Sequence, residues 1–425
     1  MLEKMGIRSR KDMILFAFVI GITSLTMATT FFPSIKHSTT WIIDLTAFTF
    51  FETFLMTVLG SFWMGYAILG LVLQPRGAPS HSFRGKYSIV IPAKDEEAVI
   101  TNILTDLKNQ TYKNFEVFVV SHNCIDKTFE KVRKFRDKRV IPLNLFEKPG
   151  KSVALNYGAA HATVEIIVIM DADNRVPEDF LEKISRYFPD YDAIQTRIET
   201  GNPNFNLVTK LAELEFISFT DLFQRVRSAL DKNAALGGTG EAIKKDVLEK
   251  VGYWDEWSLT EDFALFTKLT AKGYKIGWCS ETAVYDEKVP WWSDFFKQRA
   301  RWLRGHFQVA FTYLKHYYKK PLDFHYLIAP ISILGYYFTL TLWLIFFLQL
   351  PITTNFLPAY VWLTPWVIWN LGIAIRIYRA RGFKALLLFP LLFFYLYHWI
   401  AIFPYVFKVK TWPKTPHGFV TNSKS

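Results

Sequence analysis

The apolar residues of this chain lie in long runs at its two ends, around a stretch of ordinary soluble composition. That arrangement most limits what it can fold into. Residues 13–32 form an apolar run of spanning length, since a bilayer core needs about 20 helical residues. Lys4, Arg8, Arg10 and Lys11 precede it, which favours a cytoplasmic N-terminus. The run is long for a cleaved signal, no A-x-A-like site follows, and a second apolar run comes soon after at 53–73. Asp44 and Glu52, at the outer end of that second run, read as interfacial or solvated. Three more apolar segments occupy 327–350, 356–375 and 385–407. The loop between the last two carries Arg376, Arg379, Arg381 and Lys384, so it is expected on the cytoplasmic side. Pro390 and Pro404 interrupt the final segment. A broken or interfacial piece there keeps the tail, with Lys408, Lys410 and Lys414, inside.

The expected organisation is therefore two transmembrane helices in 1–75, a cytosolic domain at 86–290, an interfacial helix at 291–320, transmembrane or interfacial helices at 321–407, and a cytosolic tail at 408–425. Such a chain is an integral, multi-pass membrane protein of the cell membrane, in contact with membrane lipids. Few ionisable residues lie inside the apolar runs, which argues against a transporter or channel. The net charge of +12 fits Lys- and Arg-rich cytoplasmic loops. No long basic run interleaved with base-stacking aromatics supports nucleic-acid binding. Two cysteines, Cys124 and Cys279, make neither a disulfide framework nor a zinc site.

A polar linker rich in Pro and Gly, 75–85, opens onto the central domain. Buried-strand runs at Tyr87–Pro92, Phe115–Val120 and Ile166–Met170 alternate with helical segments such as Glu97–Asn109. The alternation predicts an α/β fold with a mainly parallel sheet and flanking helices. Ligands on such sheets bind at the carboxyl ends of the strands. Here those ends read Pro92-Ala93-Lys94-Asp95-Glu96, Ser121-His122-Asn123 and Asp171-Ala172-Asp173. From 291 to 320 the chain turns aromatic and basic, with Trp291, Trp292, Phe295, Phe296 and Trp302 among Lys297, Arg299, Arg301 and Arg304. That is the pattern of a helix lying on a membrane surface.

Several residues in this middle region carry chemistry, and each has a structural reading beside it. Asp171 and Asp173 supply hard oxygen ligands suited to Mg²⁺ or Mn²⁺ bridging to substrate phosphates; they are equally a polar turn after a buried strand. Asp262, in Thr260-Glu261-Asp262, is a carboxylate able to take a proton from a hydroxyl; the same triplet reads as a helix start capped by Thr260. Arg301 pairs well with phosphate and Trp302 offers a face for a sugar ring, while both also suit membrane anchoring. Leu236-Gly237-Gly238-Thr239-Gly240 permits close backbone approach to a ligand or is a turn. Lys148-Pro149-Gly150-Lys151 places an ammonium near a diphosphate or is a solvated turn.

In combination and order, Asp171-Ala172-Asp173, Gly237-Gly238-Thr239-Gly240, Thr260-Glu261-Asp262 and Gln298-x-x-Arg301-Trp302 resemble the membrane-integrated family 2 glycosyltransferases. These include cellulose, hyaluronan, chitin and mannan synthases and some glycolipid glucosyltransferases. The strand from Ser88 to Glu97 and the block Lys148–Asn156 match the same family, over roughly 86–305. The resemblance implies a GT-A fold, a nucleotide-sugar donor (UDP-linked in the usual case), a divalent metal and an inverting mechanism. It implies that Asp173 binds the metal and Asp171 the metal or nucleotide. Asp262 would be the base, in a catalytic motif with Glu261. Gln298, Arg301 and Trp302 would hold the diphosphate and the acceptor sugar. Lys151 and Glu96 would line the nucleotide pocket, with Gly238 and Thr239 approaching the donor. Thr411–His417 resembles the family's gating loop, which closes over the donor. Many members carry an acidic pair where Ser121-His122-Asn123-Cys124 stands here, with Asp126 the nearby acid, so the base is left open. The acceptor would be a growing polysaccharide or, in a single transfer, a lipid.

Overall fold

The computed structural model describes residues 2–14, 60–79, 82–217, 222–319, 337–339, 341, 343, 357–395, 402–403, 405–409 and 417–418. Its centre is a seven-stranded sheet in the order β3-β2-β1-β4-β6-β5-β7. The strands are β1 (Tyr87–Ala93), β2 (Phe115–His122), β3 (Val140–Leu145), β4 (Ile166–Ile169), β5 (Ala193–Thr200), β6 (Glu241–Lys244) and β7 (Ile276–Asp286). β3, β2, β1 and β4 run parallel, β5 pairs β7 in parallel, and β6 is antiparallel to β4 and β5. The mainly parallel expectation holds except at β6, a short strand that follows the Gly-rich loop directly. β2 and β4 are buried at every position, as continuous apolar runs of a sheet covered on both faces must be. The three expected strands occur within two residues of their expected ends. The helix expected at Glu97–Asn109 begins later, at Ile100.

The helices that frame the site are α1 (60–72), α2 (Lys151–His161), α3 (Leu207–Glu215), α4 (Leu222–Ala229), α5 (Glu261–Ala271), α6 (Trp292–Lys319), α7 (Leu357–Arg381) and α8 (Phe383–Leu386). α6 is one 28-residue helix over the segment expected at a membrane surface. Its first aromatics pack on protein: Trp292, Phe295 and Phe296 are buried in one cluster with Val208, Leu211 and Leu214 of α3 and with Ile7. The N-terminal segment is built into this packing. Trp292 Nε1 donates to Met5 O at 2.8 Å, Arg8 pairs with Asp294 at 2.6 Å, and the fully buried Asp12 accepts the Ser293 N–H.

Among the described residues no helix is long and apolar enough to cross a membrane. The segment expected to span at 356–375 forms most of α7 without reaching that criterion. The runs at 13–32 and 327–350 lie almost wholly outside the described residues, as do the first part of the run at 53–73, part of 385–407 and the stretch 410–416 of the tail.

Candidate active site

The carboxyl ends of β1, β2 and β4 open into a cleft of about 450 Å³ that also receives the start of α5 and one face of α6. Its lining includes Glu96, Lys151, Asp171, Asp173, Gly238, Thr239, Glu261, Asp262, Gln298, Arg301 and Trp302. Motifs separated by up to about 200 residues thus meet in one cavity. Asp126 does not line it. Its carboxylate accepts the Glu97 N–H at 2.9 Å and the Thr128 N–H at 2.9 Å, tying the β1 and β2 loops together. With Asp95 and Cys124 it makes a compact group of possible metal ligands, which is not the Asp171–Asp173 pair.

Lys151 begins α2 and is the electrostatic hub. Its Nζ lies 2.6 Å from Asp171 and 3.3 Å from Glu261 and donates to the Gly238 carbonyl at 2.8 Å. Burial alone would favour the neutral amine, but the Asp171, Glu261 and Asp262 carboxylates outweigh it and raise its pKa. The Gly238 loop follows from this contact. Gly238 has φ +81°, and a Cβ there would stand 3.3 Å from Asp262 Oδ2, so a side chain would crowd the carboxylate. Glu241 fixes the loop from behind, accepting the Gly238 N–H at 2.6 Å. Burial, with Asp262 nearby, pushes the Glu241 carboxyl up to about 8. Thr239 Oγ1 accepts the Asp171 N–H at 3.1 Å.

Asp262 sits in the first turn of α5, its Oδ1 accepting the Phe263 N–H at 2.8 Å. Burial and the neighbouring Glu261 push it up to about 7, against the pull of Lys151 and Arg301. Thr260 holds the N-cap position, but its side chain makes no capping bond, and its hydroxyl is buried without a partner among the described residues. The capping expected of it is replaced by packing: a Cβ on Gly305 of α6 would lie 2.5 Å from Thr260 Cγ2. That close crossing brings Arg301 over the α5 start, where its Nη1 donates to Leu259 O at 2.6 Å. One turn along α6, burial with Arg301 and Arg299 nearby drives His306 down to about 3, so its ring is neutral in the cleft.

At the other end, Asp173, Asp286 and Glu96 gather around one imidazole. His417 Nδ1 lies 3.0 Å from Glu96, and Nε2 lies 3.7 Å from Asp173 Oδ2. Gly418 N–H donates to Glu287 at 3.1 Å, and both His417 and Glu287 line the cleft. Burial holds Asp173 well above its ordinary value; His417 opposes this, while Asp286, Asp171 and Glu96 add to it. An excess of oxygen donors over local positive charge fits a hard divalent cation. Asp286, His306 and Glu241 were not among the sequence candidates. Only Glu241 carried a signal, as an acid directly after a Gly-rich loop and before an apolar strand.

The family described as "Glycosyltransferase like family 2" matches residues 84–305. Over 249 residues the chain is 30% identical to "Probable glycosyltransferase YdaM" of Bacillus subtilis, covering 55% of this chain and 58% of that protein. It is 27% identical to "Beta-monoglucosyldiacylglycerol synthase" of Synechocystis over 363 residues, 78% of this chain and 75% of the relative. To "Poly-beta-1,6-N-acetyl-D-glucosamine synthase" of Staphylococcus aureus it is 26% identical over 230 residues, 52% of this chain and 55% of the relative.

Proposed function

The chain belongs to glycosyltransferase family 2, and on that premise we propose that it is a membrane-bound inverting β-glycosyltransferase using a nucleotide-diphosphate sugar. The observation that carries the proposal is the pairing inside one cleft of Asp262, poised near pH 7, with the Asp171–Asp173 acids and Arg301. The nucleoside diphosphate lies at the β1, β2 and β4 ends, with Lys151 and Glu96 beside it. Asp262 takes the proton from an acceptor hydroxyl as that oxygen bonds to the anomeric carbon and the bond to the diphosphate oxygen breaks. In-line attack inverts the centre, and a positioned base of this kind contributes about 10²–10⁴-fold. Arg301 faces the charge that develops on the leaving diphosphate. Asp171 and Asp173 would hold Mg²⁺ or Mn²⁺, with Asp286 and His417 alongside, and the cation would neutralise the diphosphate charge.

Besides Trp302, the cleft lining includes Trp63, Phe216, Phe223, Phe266 and Tyr337, and the acceptor would lie against these rings. A growing polysaccharide stacks on such rings. A lipid alcohol is the second reading, favoured by this apolar lining and by the diacylglycerol-glucosylating relative. Membrane integration with a cytoplasmic catalytic domain rests on the apolar runs at both ends and on their basic flanks. Asp262→Asn should lower turnover by about 10²–10⁴-fold while donor binding persists. A folded Asp262→Asn protein with undiminished turnover would overturn the assignment. With the unsubstituted protein, product sizing separates a ladder from one glycolipid.

A further inference from the structure

Outside the catalytic cleft, four arginines converge from three parts of the chain. Arg197 lies on β5, Arg225 on α4, and Arg379 and Arg381 at the end of α7. Two of them meet the end of α1, and Arg197 lies close enough to Arg225 and Arg381 for their charges to interact. Arg379 Nη1 reaches Leu71 O at 3.4 Å and Arg225 Nη1 reaches Gln74 Oε1 at 3.0 Å, so both meet the same few residues. Arg381 lies 4.0 Å from Glu199, which also pairs with Arg197. None of the four lines the catalytic cleft.

Charge in this cluster is not balanced. Arg381 and Arg197 share Glu199, and the second acid, Glu213, is held by both Arg381 and Lys210 at 2.6 and 2.5 Å. Arg225 and Arg379 have neutral oxygen acceptors, and Arg225 Nε is buried with no hydrogen-bond partner among the described residues. Burial, with Arg197 and Arg379 close by, lowers the Arg225 pKa. Like charges held together, with donor groups unspent, are the makings of an anion receptor, and guanidinium forks match phosphate oxygens.

Exposed apolar side chains interleave with these arginines. Val72 stands between Leu71 and Gln74 and is 65% exposed, Tyr378 precedes Arg379 at 55%, and Phe383 follows Arg381 at 67%. A site for a free anion or a nucleic acid has no use for such neighbours, whereas a bilayer surface accepts both. The tendency of basic residues to flank spans on the cytoplasmic side accounts for Arg379 and Arg381. It does not account for Arg197 and Arg225, which come from the catalytic domain.

We propose that Arg197, Arg225, Arg379 and Arg381 bind the phosphodiester of an anionic phospholipid, seating the catalytic domain on the membrane surface. The proposal rests on the membrane reading above but not on the transferase chemistry. Arg225 and Arg197 would dock the domain, and Arg379 and Arg381 would present the lipid from the membrane side.

The test uses the full chain purified in detergent, titrated with short-chain phosphatidylglycerol and followed by native mass spectrometry. Phosphatidylcholine of the same chain length and inorganic phosphate serve as comparison ligands. Phosphatidylglycerol should bind at least about tenfold more tightly than either. Each juxtamembrane basic residue contributes about fivefold to anionic-lipid affinity, so Arg225→Gln with Arg379→Gln should weaken binding about thirtyfold. Arg379→Glu, on an exposed side chain, should by itself weaken it at least about fivefold. Equal binding of the two lipids, displacement by equimolar phosphate, or unchanged affinity in Arg379→Glu would each overturn the proposal. Asp262→Asn should bind phosphatidylglycerol normally, so loss of the transferase reading leaves this result standing. Failure to float with phosphatidylcholine vesicles would instead count against the membrane premise.

Discussion

Lys151→Met should both loosen the catalytic domain and shift its pH profile. Methionine preserves the stem and its packing and removes the charge. The Lys151 ammonium lies 2.6 Å from Asp171 and 3.3 Å from Glu261, with its side chain only 9% exposed. Removing one member of a buried pair typically costs about 3–5 kcal/mol, because the partner is left charged and unsolvated. Asp171 is already pushed up by burial, so it escapes part of that cost by taking a proton. The lower end, about 3 kcal/mol, therefore applies near neutral pH. For a domain of this size it corresponds to a fall of about 6–12 °C in the unfolding midpoint. Scanning calorimetry of detergent-purified protein reads this directly. Lys151 also pulls the Asp262 pKa down, so turnover in Lys151→Met should rise at higher pH than in the unsubstituted protein. An unchanged midpoint together with an unchanged pH profile would refute the hub role.

Turnover by the unsubstituted protein should climb through about pH 7, because Asp262 works as a base only when deprotonated and its pKa is raised to about 7. Stability runs the other way. Folding favours the protonated Asp262 and Glu241, so stability present at low pH is lost as pH rises from the ordinary carboxylate range through about 7 and about 8. The loss is up to about 1.4 kcal/mol per pH unit for each group. Glu241→Gln stays neutral and should flatten the decline of the unfolding midpoint between pH 6 and 8, measured with a chelator present; an unaltered slope would exclude a raised Glu241. Gly305→Ala places a methyl 2.5 Å from Thr260 Cγ2 and should cut turnover by about tenfold to a hundredfold through displacement of α6. Adding Thr260→Ala should recover much of that loss, whereas simple additivity of the two losses would argue against a steric cause.

The sheet and most of the cleft were legible because the informative residues sit where strand and helix ends force them to be. Asp171 and Asp173 follow an apolar run that can only be a buried strand, and Asp262 lies one residue into a helix whose start is marked by composition. What escaped depends on long-range packing. His417 meets Glu96 across 321 positions, and nothing in its local pattern shows which acid it faces. Thr260 reads as a cap because Ser and Thr usually cap, but the close approach of Gly305 leaves its hydroxyl against α6. The aromatics of α6 read as membrane-facing from their mix with basic residues; Trp292, Phe295 and Phe296 at its start pack on α3 and the N-terminal segment, while Phe311 stays exposed. Asp126, the acid nearest the end of β2, lies outside the cleft lining, and nothing in its local sequence shows that its carboxylate ties the β1 and β2 loops together.

The docking of residues 2–14 on the head of α6 has a consequence for how the enzyme is assembled and handled. The Asp12–Ser293 contact closes a loop of 281 residues, whose length-dependent entropy alone is about 5 kcal/mol. The helix that carries Arg301 and Trp302 must find a strip of chain 281 positions upstream. A fragment trimmed to residues 84–305 would bare Trp292 and leave Asp294 without Arg8. Residues 2–14 are therefore part of the cleft's foundation, and a substitution or deletion there should be felt in the seating of the helix that carries Arg301 and Trp302.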